Sequence, residues 1–296
     1  MYDGEARPLD FNTLLELASI DPADVLMIRH TPREPALKRV FPWLVTERPD
    51  LFLAYQQIQW KQAEKAMTRA KAVVAFVGLD ASQGVFAGIS KVGPWVSLDL
   101  AGYHAFPGNA ELIGYGMTPP APDSPNCLAF ELEPMNVLQD QIGRLVVDWP
   151  PPAQTWWRWA KNGVFPVRYL LEESRFTPTI PNWENLVLTW DELSAMPRSW
   201  RASLANWRGV YFIYDRARRA GYVGSAYGAD NILGRWRTYA ETGHGGNVKL
   251  RQSNPKDLSF SILQRTSPDM DIESVVALEG AWKDRLHTRV SGLNAN

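Results

Sequence analysis

Apolar positions in the first 70 residues recur at the spacing of a helix. The segment 11–20, FNTLLELASI, has apolar residues three and four positions apart, and Asp10 or Asn12 stands where an N-cap is needed. A second amphipathic stretch at residues 51–72, LFLAYQQIQWKQAEKAMTRAKA, contains no glycine or proline. We therefore predict a mostly helical region with loops over residues 1–72.

The pattern changes at Val73 to short runs of β-branched and aromatic residues separated by turn residues. Such runs predict strands, and together they favour a curved antiparallel sheet or a small barrel over residues 73–175. A proline-rich loop, MTPPAPDSPN, lies inside this region at residues 117–126. The runs are VVAFVGL, GVFAGISKVG, WVSLDL, CLAFELEP, GRLVVDW and FPVRYLL.

Beyond Glu172 the chain is again loop-like, with LTWDELSAM predicting one short helix. We place the domain junction near residue 190, with a linker to about residue 198. The last third then predicts strand, strand, helix, strand and helix, with a glycine-rich loop, ETGHGGN, before the third strand. The fold class is α+β with two domains: a mixed helical and β-rich domain at 1–190 and a small β-β-α-β-α domain at 199–296.

Composition and charge narrow the function classes. The 296 residues contain one cysteine, Cys127, which excludes an intramolecular disulfide and multi-cysteine zinc modules. No apolar run has membrane-spanning length and the N-terminus lacks a signal pattern, so we expect a cytoplasmic protein without a membrane partner. Residues 201–296 hold 14 Lys and Arg against 9 Asp and Glu, whereas the first 200 residues hold 17 against 23. The basic last third favours an anionic partner.

Two tripeptides in the last third form a paired motif. Gly209–Tyr211 (GVY) and, after ten residues, Tyr222–Gly224 (YVG) fall on adjacent predicted strands. Arg235 follows in the next predicted helix, Glu279 in the last one, and the chain closes with SGLNAN. This order resembles the GIY-YIG nuclease family over about residues 200–296, with valine in place of isoleucine in both tripeptides. The resemblance implies a metal-dependent nuclease.

The resemblance also implies roles for individual side chains. Glu279 is the ligand for one divalent ion, Mg²⁺ or Mn²⁺, since hard cations prefer carboxylate oxygen. The fixed guanidinium of Arg235 suits two phosphate oxygens. Tyr211 corresponds to the tyrosine proposed to help activate the nucleophile, and Tyr222 to the one that orients the water or phosphate. Asn294 matches the late asparagine of the family, which supports the site by hydrogen bonding.

One position departs from many relatives, which place a histidine one helical turn after the arginine. Tyr239 stands there in this chain, and His244 in the glycine-rich loop is the candidate that could substitute for the histidine. Because of this departure, the sequence does not identify the residue that acts as general base. A tyrosine with an ordinary pKa near 10 is a poor base at neutral pH unless the metal or Arg235 lowers that pKa.

Each of these residues also has a purely structural interpretation. A strand tyrosine usually packs against its neighbours, and Glu279 stands at the spacing of an i,i+4 ion pair with Lys283. Their joint order favours the nuclease interpretation. Basic residues flank the motifs and are candidates for phosphate contacts, which position a duplex without reading its sequence: Arg208, Arg237, Lys249 and Arg251.

The first domain is expected to choose the target. The five tryptophans of its β-rich segment, residues 73–175, suggest either an aromatic cage for a flipped or modified base or ordinary core packing, and core packing is favoured for most of them. They are Trp95, Trp149, Trp156, Trp157 and Trp159. We therefore predict an endonuclease for double-stranded DNA, base-modified DNA included, acting in restriction-like defence. A homodimer on DNA would allow both strands to be cut. The alternatives are a repair or structure-selective nuclease and a catalytically silent nucleic-acid-binding protein.

Overall fold

The computed structural model describes residues 9–80, 82–151, 155–177 and 179–295. The α+β chain folds into two compact units, Met1–Pro178 and Thr179–Asn296. Among the described residues, no helix is both long and apolar enough to cross a bilayer.

The first unit mixes helices and strands along its whole length. Its helices are α1 (Phe11–Leu17), α2 (Pro35–Glu47), α3 (Pro49–Gln57), α4 (Lys61–Met67), α5 (Leu100–Ala105) and α6 (Asn109–Gly114). Its strands are β1 (Val25–His30), β2 (Ala72–Val77), β3 (Gln83–Leu98), β4 (Cys127–Pro134), β5 (Leu145–Asp148), β6 (Trp157–Trp159) and β7 (Val167–Leu170). The strands form one mixed sheet in the order β6-β1-β2-β3-β5-β7, with β4 also paired to β3.

Strand β1 corrects the prediction of a helical region over residues 1–72. It pairs in parallel with β2 and antiparallel with β6. Val25 and Met27 pack into one hydrophobic cluster, whereas Leu26 and Ile28 pack into another. A strand buried on both faces shows no alternation of polar and apolar residues, so its sequence lacks the usual strand signal.

The β-rich region also differs from the prediction. The parallel β1–β2 pair makes the sheet mixed rather than antiparallel, and the pairings described end at β6 and β7 without closing a barrel. Two predicted strands, GVFAGISKVG and WVSLDL, are the single long strand β3, and the helices α5 and α6 follow it. The predicted helix at 51–72 is interrupted at Ile58–Trp60, which separates α3 from α4.

The second unit contains the predicted β-β-α-β-α order with additional elements before it. Its strands are β8 (Val187–Thr189), β9 (Gly209–Asp215), β10 (Ala220–Ala226) and β11 (Leu258–Arg265). Its helices are α7 (Trp190–Ala195), α8 (Arg198–Asn206), α9 (Asn231–Thr242) and α10 (Ile272–Arg285). The sheet order is β10-β9-β11-β8, so β10 is an edge strand.

The domain boundary lies earlier than the sequence indicated. Strand β8 pairs with β11, and a capping box formed by Thr189 and Glu192 starts α7 directly after it. The segment predicted as a junction and linker at 190–198 is therefore part of the second unit. Long-range pairing of a three-residue strand leaves little trace in the local sequence.

Candidate active site

The two tripeptides lie side by side on the antiparallel pair β9–β10. Tyr211 is the register partner of Gly224, and its side chain is completely buried. A Cβ atom at position 224 would lie 2.4 Å from the phenol oxygen of Tyr211. The glycine of the second tripeptide therefore makes room for the tyrosine of the first.

Three tyrosine rings form a compact cluster at this point. The ring centroids of Tyr211 and Tyr222 are 6.4 Å apart, and each lies 6.1 Å from the ring of Tyr239 on α9. The phenol oxygens of Tyr211 and Tyr239 are 3.2 Å apart, within hydrogen-bonding distance. The structure thus brings the predicted residues Tyr211, Tyr222 and Tyr239 together.

The surroundings of the cluster decide its protonation. Burial raises the pKa of Tyr211, and the nearby Arg235 lowers that pKa by less than burial raises it. Burial likewise raises the pKa of Tyr239, which lies beside two other phenols. Both side chains are therefore protonated at neutral pH, and one of the two phenols donates to the other. A base role for Tyr211 requires its surroundings to change when substrate binds.

Ser225 on β10 joins the two charged residues of the motif. Its hydroxyl donates to Oε2 of Glu279 on α10, and its carbonyl accepts a hydrogen bond of 3.2 Å from Nε of Arg235. The Arg235 residue is exposed, whereas the carboxylate of Glu279 is only 16% exposed. Sequence analysis missed Ser225, although it directly follows the YVG tripeptide.

Lys283 is the second residue that sequence analysis did not place in the site. Its ammonium nitrogen lies 2.8 Å from Oε1 of Glu279, and its side chain is 7% exposed. The i,i+4 ion pair that was one interpretation of Glu279 is therefore present. The ion pair compensates the charge of a carboxylate that is largely shielded from water.

The donor set at Glu279 suits one type of metal ion. No group of three or more His, Cys, Asp or Glu side chains suited to a metal occurs in the part of the chain that the structure describes. A multi-carboxylate cage is therefore not formed by these residues. Mg²⁺ is commonly held by one or two carboxylates, with waters and substrate phosphate oxygens completing its shell. Glu279 fits that arrangement, although its Oε1 atom is paired with the ammonium group of Lys283.

Asn294 supports β10 from its free edge. Its side-chain oxygen accepts from the Val223 amide at 2.9 Å, and its side-chain nitrogen donates to the Val223 carbonyl at 2.8 Å. The neighbouring Leu293 amide donates to the carbonyl of Gly221. The C-terminal segment thus satisfies backbone groups on both sides of Tyr222. Asn294 holds the strand rather than contacting the tyrosine cluster through a described hydrogen bond.

His244 and two of the four predicted phosphate contacts are used within the fold. His244 Nδ1 accepts a hydrogen bond from the Gly246 amide, and the loop that contains it packs on the ring of Tyr239 through Gly245. Arg208 donates to the carbonyl of Pro268. Lys249 donates to the carbonyls of Gly292 and Asn294, which anchors the segment described above.

The other two predicted phosphate contacts, Arg237 and Arg251, are exposed. Arg237 lies on α9 two residues after Arg235, and Arg251 lies in a short 3-10 helix beyond the glycine-rich loop. They are therefore the members of the predicted set whose charge faces solvent.

Comparisons with known proteins gave two partial matches. No protein-family model and no curated protein matches the chain. A structure of the catalytic domain of the homing endonuclease I-TevI is 24% identical, with a TM-score of 0.26, over 30% of this chain and 98% of that one. A mutant of the catalytic domain of the intron endonuclease I-TevI is 22% identical, with a TM-score of 0.26, over 30% of this chain and 94% of that one. These values are too low to transfer a fold or a function.

Proposed function

We propose that the second unit is the catalytic part of a metal-dependent endonuclease that hydrolyses phosphodiester bonds in DNA. One observation carries the proposal: Ser225 bridges Arg235 and Glu279 beside a cluster of buried tyrosine hydroxyls. A phosphate-binding cation, a carboxylate for a hard metal ion and oriented hydroxyl donors are what hydrolysis of a phosphodiester needs.

Each side chain then has a defined task. Arg235 binds nonbridging phosphate oxygens and offsets the charge that grows on them. Glu279 would hold Mg²⁺ or Mn²⁺, which when bound supplies Lewis-acid chemistry at the phosphate. The half-buried Tyr222 is the phenol of the cluster that is open to solvent, and it orients the attacking water. In the reaction, the water oxygen bonds to phosphorus, one P–O ester bond breaks, and a proton passes to the departing alkoxide oxygen.

The basic surface of this unit supports an anionic substrate. Arg237 and Arg251 are exposed, as is Arg219 at the hairpin between β9 and β10. Arg216 and Arg218 at the same hairpin are also exposed, but they donate to backbone carbonyls of the unit. Contacts between exposed arginines and phosphates give binding that weakens steeply with salt. The first unit would choose the target, and restriction-like defence against foreign DNA in the cytoplasm is the setting we propose. Because each chain would supply one active site, cutting of both strands favours a homodimer on the DNA.

The direct test is cleavage of unmodified and cytosine-modified phage DNA with Mg²⁺ or Mn²⁺. Glu279→Gln should abolish cutting while keeping the side-chain shape. The matched control is Glu273→Gln, an exposed carboxylate on the same helix, which should cut normally.

Each result separates the functions considered. Preference for one DNA would assign target choice to the first unit. Cutting of branched DNA alone would replace defence with repair. Binding without cutting in any divalent metal would contradict the nuclease proposal and favour a silent binding protein.

A further inference from the structure

The first unit contains a cavity of about 810 Å³ at the C-terminal end of β1. Its wall is formed by the end of β1, the C-terminal half of α3, the segment that leads into α4, and the proline-rich loop 117–126. Crevices at the carboxyl ends of parallel strands are where open α/β sheets bind ligands, and β1 is parallel to β2. The volume lies within the range of small-molecule sites, about 300–1,000 Å³.

A buried histidine lines this cavity. His30 is 3% exposed and sits among the rings of Phe41, Phe52 and Tyr55, with centroids 5.4–6.1 Å away. Burial lowers the pKa of His30 to about 3, so the imidazole is neutral. Its Nε2 atom has no hydrogen-bond partner among the described protein atoms. This atom is also closed off from solvent and from the cavity, so the imidazole belongs to the aromatic floor and its nitrogen does not contact a ligand.

The rest of the wall combines aromatic rings with polar and charged groups. Tyr55, Tyr103 and Trp156 contribute ring surfaces, and Glu34 contributes a carboxylate that accepts from the hydroxyl of Thr118. Of the five tryptophans considered for a cage, Trp156 alone lines the described cavity, and Trp149 packs in the core. Ring surfaces of this kind suit a planar heterocycle.

The rim differs in character from the interior. Trp60 is 74% exposed at the rim, an unusual position for so large an apolar side chain. Arg33 is exposed beside it, and Lys61, also exposed, is paired with Glu64 and donates to the carbonyl of Asn126. An exposed indole next to cations is the combination that stacks on a base and contacts its phosphate.

We propose that this cavity binds a single nucleobase against its aromatic rings, with the phosphate of the nucleotide at Arg33. The base is either everted from DNA or part of a free nucleotide. The first source rests on the proposed nuclease function, because the base then belongs to the substrate that the second unit cuts. An aliphatic ligand would leave the ring surfaces of the wall without a stacking partner.

The test uses the full chain in EDTA, so that cleavage plays no part. Duplex DNA carrying one 2-aminopurine, whose fluorescence rises when it leaves the stack, is titrated with protein. Binding should change the fluorescence, because the base leaves the DNA stack and packs on the rings of the cavity. Trp60→Ala should weaken binding about tenfold, as expected for loss of one stacking ring. Trp95→Ala is the matched control, because Trp95 is a 46% exposed tryptophan of the same unit that does not line the cavity.

A second variant probes the rim of the cavity. Arg33→Gln removes the exposed cation proposed to contact the phosphate and should weaken binding about tenfold. Circular dichroism checks its fold. If it does not fold, Trp60→Ala at the exposed rim still decides.

A parallel titration with dAMP, dCMP and 5-methyl-dCMP distinguishes the two sources. Nucleotide binding that both variants weaken, without a 2-aminopurine signal, supports a nucleotide-sensing site. A 2-aminopurine signal that the variants weaken supports eversion from DNA. Absence of both signals, or binding that neither variant changes, overturns the proposal. Glu279→Gln separates the two proposals. If this variant loses cutting and keeps the 2-aminopurine signal, the cavity assignment stands. If the wild type cuts DNA but neither the 2-aminopurine nor the nucleotide titration gives a signal, only the nuclease proposal stands.

Discussion

Ser225 donates its hydroxyl hydrogen to the carboxylate of Glu279, 54 residues further along the chain. Its own carbonyl accepts from Arg235, so one residue of β10 orients the anion and the cation of the site together. The contact links an edge strand to the last helix of the unit, and the geometry of the site depends on it.

Ser225→Ala tests this link. Loss of the hydroxyl frees the Glu279 carboxylate to move towards Lys283, so we expect a metal requirement about 10–100-fold higher, as for other residues that orient metal ligands. The Mg²⁺ concentration for half-maximal cleavage measures it. Ser259→Ala removes a hydroxyl that donates to Tyr214 on the same sheet and should leave that concentration unchanged. An equal effect of both variants would contradict the link.

Gly224→Ala should displace the phenol of Tyr211. The new methyl group would lie 2.4 Å from the Tyr211 oxygen, and a completely buried ring has little room to move. We expect cleavage to fall about 100-fold, comparable to the loss of one oriented hydrogen-bond donor. Gly228→Ala, where nothing lies within 4 Å of the added atom, is the control. Normal cleavage by Gly224→Ala would remove Tyr211 from the mechanism.

Asn294→Asp should destabilise the second unit. The substitution replaces the donor to the Val223 carbonyl with an oxygen, at a position that is 1% exposed. A buried carbonyl without its partner costs about 1–3 kcal/mol in the free energy of unfolding. Urea denaturation measures the loss. Asn206→Asp, at an exposed amide that donates to Ala202 within α8, should cost less.

The buried tyrosines should make the protein less stable at alkaline pH. Unfolded tyrosine ionises near pH 10, whereas burial raises the pKa of Tyr211 and Tyr239 in the folded protein. Above pH 10 the unfolded state therefore binds fewer protons, and the free energy of unfolding falls as pH rises. Absorbance of tyrosinate should show these phenols ionising only as the protein unfolds. Early ionisation of all ten tyrosines would contradict their burial.

His30 should make the first unit sensitive to acid. Its pKa is lowered to about 3 in the folded protein from 6.5, so between those values the unfolded state binds more protons. The free energy of unfolding is then fully present above pH 6.5 and falls by about 1.4 kcal/mol per pH unit as acid is added. His30→Phe should flatten this part of the profile in denaturation experiments. His104→Phe, at an exposed histidine, is the control and should leave the slope as it is.

Local patterns in the sequence determined the strand–strand–helix–strand–helix order of the second unit, because alternation, capping and neighbouring turns act over a few residues. The family resemblance, rather than these patterns, assigned Tyr211, Tyr222 and Arg235 to one site. Tyr239 lies in the same cluster because it is one turn of α9 beyond Arg235, on the face of the helix next to the other two phenols.

Tertiary structure decided the rest, because long-range packing leaves weak local signals. Strand β1 is covered on both faces by segments distant in sequence, so its apolar run resembled any buried element. Ser225 and Lys283 enter the site only because α10 packs beside β10. Lys249 and Arg208 were indistinguishable from other basic residues until the fold placed backbone carbonyls next to them. The cavity at His30 likewise exists because α3 and the proline-rich loop meet at the end of β1, which no local pattern encodes.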